Sequence, residues 1–154
     1  MVRRGVNEEK ERFMAEGVKL IQRFYDELLG EGNIDNLDEL VTDDVVDHEE
    51  GLPGQPEGKE GVVFFVNTLR SAFSDLKATI DPSLESGDLA AAHVTLTGKH
   101  TGEWMGVPAS DKSFEIEGID MIRIEDGRCA EHWGVTDNMV LMVQIGALPE
   151  PAAA

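Results

Sequence analysis

Residues 112–135 read KSFEIEGIDMIRIEDGRCAEHWGV, and the pattern in this stretch governs what the chain can be. Apolar and polar positions alternate up to the Glu-Asp-Gly at 125–127, which places Phe114, Ile116, Gly118, Asp120, Ile122 and Ile124 on one face of a strand. Asp120 is the polar exception on that face. A carboxylate on an otherwise apolar wall is a candidate general acid or base, and its plain structural alternative is an acceptor for neighbouring hydrogen bonds. The following strand, Arg128 to Val135, returns beside it as a hairpin, and a slip of one residue would move every side chain to the other face. A three-residue loop, Glu125-Asp126-Gly127, opposes Asp120 to His132, whereas a two-residue Asp126-Gly127 turn opposes Asp120 to Trp133. The first register is expected because it gives the carboxylate a hydrogen-bonding partner, making Asp120 and His132 a dyad able to move protons.

Upstream, apolar residues between Glu8 and Leu29 fall at the spacing of one broad helical face, ending at Gly30 and Gly32. Ile34, Leu37, Leu40 and Val41 predict a second helix of about two turns, and Thr42 to His48 a short strand. The glycine- and proline-rich GLPGQPEG at 51–58 is a loop. Lys59 to Ser74 carries Val62, Phe65, Val66, Leu69 and Phe73 at helical spacing, a stripe read first as core. Leu76 to Leu84, Leu89 to Thr101, Lys112 to Glu125 and Arg128 to Val135 then read as four strands. Asp137 to Gly146 is ambiguous between helix and strand, with the helix preferred because Asp137 can cap it. Three helices followed mainly by antiparallel strands, without a βαβ rhythm, predict an α+β fold with a sheet covered on one side.

The 154 residues suit one domain, 1–154, with the tail PEPAAA at 149–154 expected to fray. Thirty-one acidic against thirteen basic residues give a net charge of −18, which argues against a nucleic-acid partner. No apolar run approaches the length of a membrane span, and no apolar segment follows the two arginines near the start. With one cysteine, Cys129, read as a packing residue, a cytoplasmic protein is expected.

No H-E-x-x-H, cysteine pair, P-loop or G-x-G-x-x-G occurs, so neither a metal nor an organic cofactor is expected. The catalytic candidates are Asp120 and His132. Candidates for contacting a substrate are His48 and His100, at strand ends where pocket rims form, with Phe65, Trp104 and Trp133 shaping the pocket.

The string HTGEWMGVPASDKSFEIEGIDMIRIEDGRCAEHWGVTD, with VVDHEE before a Gly/Pro loop and a third helix ending LRSAFSDL, resembles the SnoaL-like polyketide cyclase and ester cyclase family of the nuclear transport factor two-like superfamily. The resemblance implies a cone of three helices against a strongly curved sheet, a ligand cavity inside it, and a homodimer through the sheet. It also implies cofactor-free ring closure by intramolecular aldol condensation, with an aspartate as acid/base. That aspartate falls at Gly134 here, and Asp120 falls where those enzymes carry a pocket histidine; His132 is retained. The expected activity is therefore acid/base chemistry on a small apolar carbonyl compound, with Asp120 moving the proton and His132 tuning it. The alternatives are a non-catalytic binding domain for a hydrophobic ligand and a hydrolase or isomerase of the same superfamily.

Overall fold

The computed structural model describes residues 16–153, so the expected start of the first helix, 8–15, lies outside the described residues. Helix α1 runs Glu16–Arg23 and widens into a π-helix over Phe24–Gly30. A single 3-10 turn, Ile34–Asn36, leads into the short α2, Leu37–Leu40, and then β1, Val41–Asp47. After the loop come α3 (Gly58–Ala72), β2 (Phe73–Ser86), β3 (Leu89–His100), β4 (Ser113–Glu125), β5 (Arg128–Thr136) and α4 (Asn138–Gln144). Asp137 caps α4, its side chain accepting from the Val140 N–H at 3.0 Å.

One five-stranded sheet has the order β1-β5-β4-β3-β2, antiparallel except for β1 beside β5. The expected α+β architecture, with N-terminal helices against a mostly antiparallel sheet, is the one observed. Pro82 cannot donate to a ladder, and it sits in the edge strand β2, where the register shifts between Ile80 and Ser83.

The third helix stops two residues before the expected Ser74. Phe73 already has extended backbone, and its ring packs 5.1 Å from both Trp104 and Phe114. Tertiary packing of one aromatic side chain thus converts the last predicted helical residues into the start of β2.

The core lies between the helices and the inner sheet face, with Leu28, Leu29, Leu40, Val66 and Ile145 almost wholly buried. Two contacts set how α1 sits on the sheet. At Gly17 a side chain would run into Ile124 and lie 2.6 Å from the Ala90 Cβ. At the other end, Arg70 donates to the Leu29 and Gly30 carbonyls at 2.6 and 2.8 Å, satisfying acceptors that the helix leaves unpaired. Among the described residues, no helix is long and apolar enough to cross a membrane.

Candidate functional site

The β4–β5 hairpin aims two polar side chains inward by a route that differs from the expected register. Asp126 and Gly127 both have positive φ, 50° and 75°, and Glu125 opposes Arg128, so the turn is the two-residue form rather than the three-residue loop. Beyond Ile124–Cys129 the register shifts by one residue, a bulge in β5. Ile122 then opposes His132, and Asp120 opposes Gly134 instead of His132 or Trp133. The bulge puts His132 on the same face as Asp120, two pairs along the ladder. Their side chains meet diagonally, with His132 Nε2 2.8 Å from Asp120 Oδ1.

Asp120 is only 8% exposed, and it has a second partner. The Tyr25 hydroxyl, from the π-helical turn of α1, donates to Asp120 Oδ2 at 2.5 Å. On the far side of the imidazole, His132 Nδ1 lies 2.9 Å from Asp47 Oδ1 at the end of β1. That same oxygen accepts the Glu49 backbone N–H at 3.0 Å. Tyr25, Asp120, His132 and Asp47 therefore form one hydrogen-bonded chain that joins α1, β4, β5 and β1.

The chain determines its own charge state. Burial works against a charged imidazole, but hydrogen bonds and charge from Asp120 and Asp47 prevail, and the His132 pKa is pushed up to about 10. With both ring nitrogens facing carboxylates, His132 is an imidazolium that donates in two directions. Burial pushes the Asp47 carboxyl upward, yet the His132 bond and charge and the Glu49 N–H bring it below the usual range. Burial, then the charge and hydrogen bond of Asp120, hold the Tyr25 phenol well above its ordinary value. Glu49 is raised by burial, opposed by His132 and reinforced by the charges of Asp120 and Asp47.

These groups close one end of a cavity of about 190 Å³ between the helices and the inner sheet face. Phe65, Leu69, Phe73, Trp104, Phe114 and Ile116 contribute its apolar walls, and the 51–55 segment of the Gly/Pro loop lies along it. Cys129 also lines it, but burial pushes that thiol up to about 12, so it is neutral and a poor nucleophile at ordinary pH.

Asp120, His132, Phe65 and Trp104 therefore share the cavity wall, whereas His48, His100 and Trp133 do not line it. His48 stacks on Trp133 with ring centroids 4.7 Å apart, and Arg123 lies 5.9 Å over the indole. His100 is wholly buried in the core beside Phe73, its Nδ1 accepting the Ser110 N–H at 3.2 Å.

Tyr25, Asp47 and Glu49 complete the polar end without having been singled out from the sequence. Tyr25 counted as one apolar position of a helical face. In VVDHEE the histidine drew attention, yet along an extended segment Asp47 and Glu49 fall opposite His48, and that alternation was the available signal. Asp47, Glu49 and His132 each bring one potential metal-ligand atom within 4.8 Å of the others. Both His132 nitrogens already face carboxylates, so a cation taking one of them would have to displace a proton and the contact with Asp47 or Asp120.

Residues 19–145 match the family described as SnoaL-like polyketide cyclase. A nogalonic acid methyl ester cyclase of Streptomyces nogalater is 27% identical over 116 residues, 75% of this chain and 87% of that protein. An aklanonic acid methyl ester cyclase of Streptomyces sp. (strain C5) is 30% identical over 140 residues, covering 86% and 83%. The structure of TsrD from Streptomyces laurentii superposes with a TM-score of 0.77 at 32% identity, covering 86% of this chain and 96% of that one.

Proposed function

The chain belongs to the SnoaL-like polyketide cyclase family, and from that premise we propose that it is a cofactor-free cyclase using acid/base catalysis on a small, largely apolar carbonyl compound. The observation that carries the reading is His132 held between Asp120 and Asp47 on the wall of a predominantly apolar cavity. The donors nearest a substrate carbonyl oxygen against that wall are the Tyr25 hydroxyl and the His132 imidazolium, and one of them turning from Asp120 to the substrate would stabilise an enolate or alkoxide forming there. Apolar walls at Phe65 and Trp104 hold the rest of the molecule.

In ring closure, a proton on the carbon next to one carbonyl passes to a carboxylate of the site. The enolate carbon then attacks a second carbonyl carbon of the same molecule. A carbon–carbon bond forms, the new alkoxide takes the proton back, and the product is an isomer with no atom lost. Asp120 has one oxygen engaged by Tyr25 and the other by His132, so its part is to keep the imidazole charged and the phenol in place.

Aklanonic acid methyl ester and nogalonic acid methyl ester, named for the relatives, are the first compounds to offer. Conversion of either to a product of equal mass, reduced at least about 100-fold by Asp120→Asn, is the expected result. Binding without turnover of either ester would favour a ligand-holding domain, and release of the methyl ester by water would favour a hydrolase.

A further inference from the structure

Three of the four carboxyl and imidazole groups at the polar end are already committed. Asp120 accepts from Tyr25 and His132, His132 is engaged at both nitrogens, and Asp47 accepts from His132 and from a backbone N–H. Glu49 differs. Its side chain lines the cavity, and among the described residues no donor reaches its carboxylate.

Its position follows from a missing side chain. Gly134 stands directly opposite Asp120 in the β4–β5 ladder. A Cβ built there would lie 2.6 Å from Glu49 Oε2, 2.9 Å from His132 Cε1 and 3.1 Å from Asp120 Oδ1. Glu49 has therefore moved into the volume that a residue-134 side chain would fill, arriving just beyond β1 instead of from β5. The groups facing it are Tyr25 from α1, Asp120 from β4, His132 from β5 and Asp47 from β1. Half-buried, it lies beside His132 and is able to exchange protons with water.

We propose that Glu49 is the general base of this site, taking the carbon-bound proton from the substrate and returning it to the product oxygen, an assignment that rests on the acid/base reading above. Burial together with the Asp120 and Asp47 charges raises its pKa, which favours a base that must also give its proton back. Glu49 carries the proton from carbon to oxygen, while the Asp120–His132 pair beside it fixes the geometry of that end.

Glu49→Gln conserves size and removes only the base. With aklanonic acid methyl ester as probe, kcat should fall at least about 100-fold with little change in KM, and the acidic limb of the pH–rate profile should disappear. If wild type converts the ester, Asp120→Asn is impaired and Glu49→Gln turns over almost normally, the base is not Glu49, although the cyclase reading stands. If wild type converts neither ester, the cyclase reading fails separately. Carbon-13 titration of the Glu49 carboxyl, assigned by its loss in Glu49→Gln, then decides the assignment. A value above that of an ordinary glutamate supports it, and a value at or below it overturns it.

Discussion

His132 Nε2 lies 2.8 Å from Asp120 Oδ1 although the two residues are not opposite one another in the ladder, where Asp120 faces Gly134 and His132 faces Ile122. The diagonal contact exists because β5 carries a bulge, and it makes Asp120 the residue that sets the imidazole's charge. Replacing Asp120 by Asn removes one of the two carboxylates that stabilise the imidazolium, so the His132 pKa should drop from about 10 toward the ordinary 6.5. Nitrogen-15 spectra of the ring at about pH 8 check this, with a protonated His132 in wild type and a largely neutral one in the variant as the expected pair.

The same shift gives stability a pH dependence of definite sign. A histidine whose folded pKa is raised to about 10 from 6.5 stabilises the fold fully below about pH 6.5, and the contribution drains away as pH rises through about 10. The difference in unfolding free energy between wild type and His132→Gln should shrink steadily across that window. Glu49 acts in the same direction at lower pH: with its folded pKa raised, its ionisation costs stability as pH rises above its ordinary value of 4.5. Glu49→Gln should therefore gain on wild type as pH rises through the carboxylate range, and denaturant midpoints measured across pH read both trends.

Tyr25→Phe keeps the ring and deletes the donor to Asp120 Oδ2, leaving a carboxylate oxygen with 8% residue exposure short of its partner. A loss of about 1–3 kcal/mol in chemical denaturation is expected. An unchanged midpoint would mean that the Tyr25 bond is not formed in solution.

The hairpin was legible in the residues from the start, and so was most of the fold. Alternation in FEIEGIDMIRI correctly set Asp120 on the inner face, and β3 and β4 fell close to their predicted ranges because their buried residues keep period two. What the residues could not show was the bulge, since a one-residue shift in β5 leaves no compositional mark between Cys129 and Glu131. The site was half legible for a related reason. Gly134 stood out as a missing carboxylate, but only the path of the chain after β1 brings Glu49 into the space it leaves. Tyr25 was hidden because a tyrosine on a helical face reads as core until its hydroxyl is seen to have a target.

If Glu49 and a residue-134 side chain compete for one volume, a carboxylate should be movable between them. Gly134→Asp placed in a Glu49→Ala background should recover at least about tenfold of the turnover lost in Glu49→Ala alone, since the oxygen nearest the new Cβ has been removed. Gly134→Asp with Glu49 retained should be less stable than wild type, because the Glu49 carboxylate must give way and a further negative charge joins Asp120 and Glu49.

Helix α1 carries Tyr25, and its distance from the sheet is set at Gly17. Gly17→Val would drive a side chain into Ile124 and Ala90, costing about 1–3 kcal/mol. If α1 is displaced as a unit, the Tyr25 hydroxyl should also lose Asp120, visible as a fall in the tyrosine pKa in an ultraviolet titration.

A cyclase site in this cavity must remove a proton from carbon. Aklanonic acid methyl ester incubated with wild-type protein in deuterium oxide tests it directly, with deuterium followed at the carbon next to the carbonyl in recovered ester and product. Enzyme-dependent isomerisation or deuterium uptake, reduced at least about 100-fold in both Asp120→Asn and Glu49→Gln, is the predicted result. Ester that binds the protein yet is recovered unchanged and unlabelled would contradict the account.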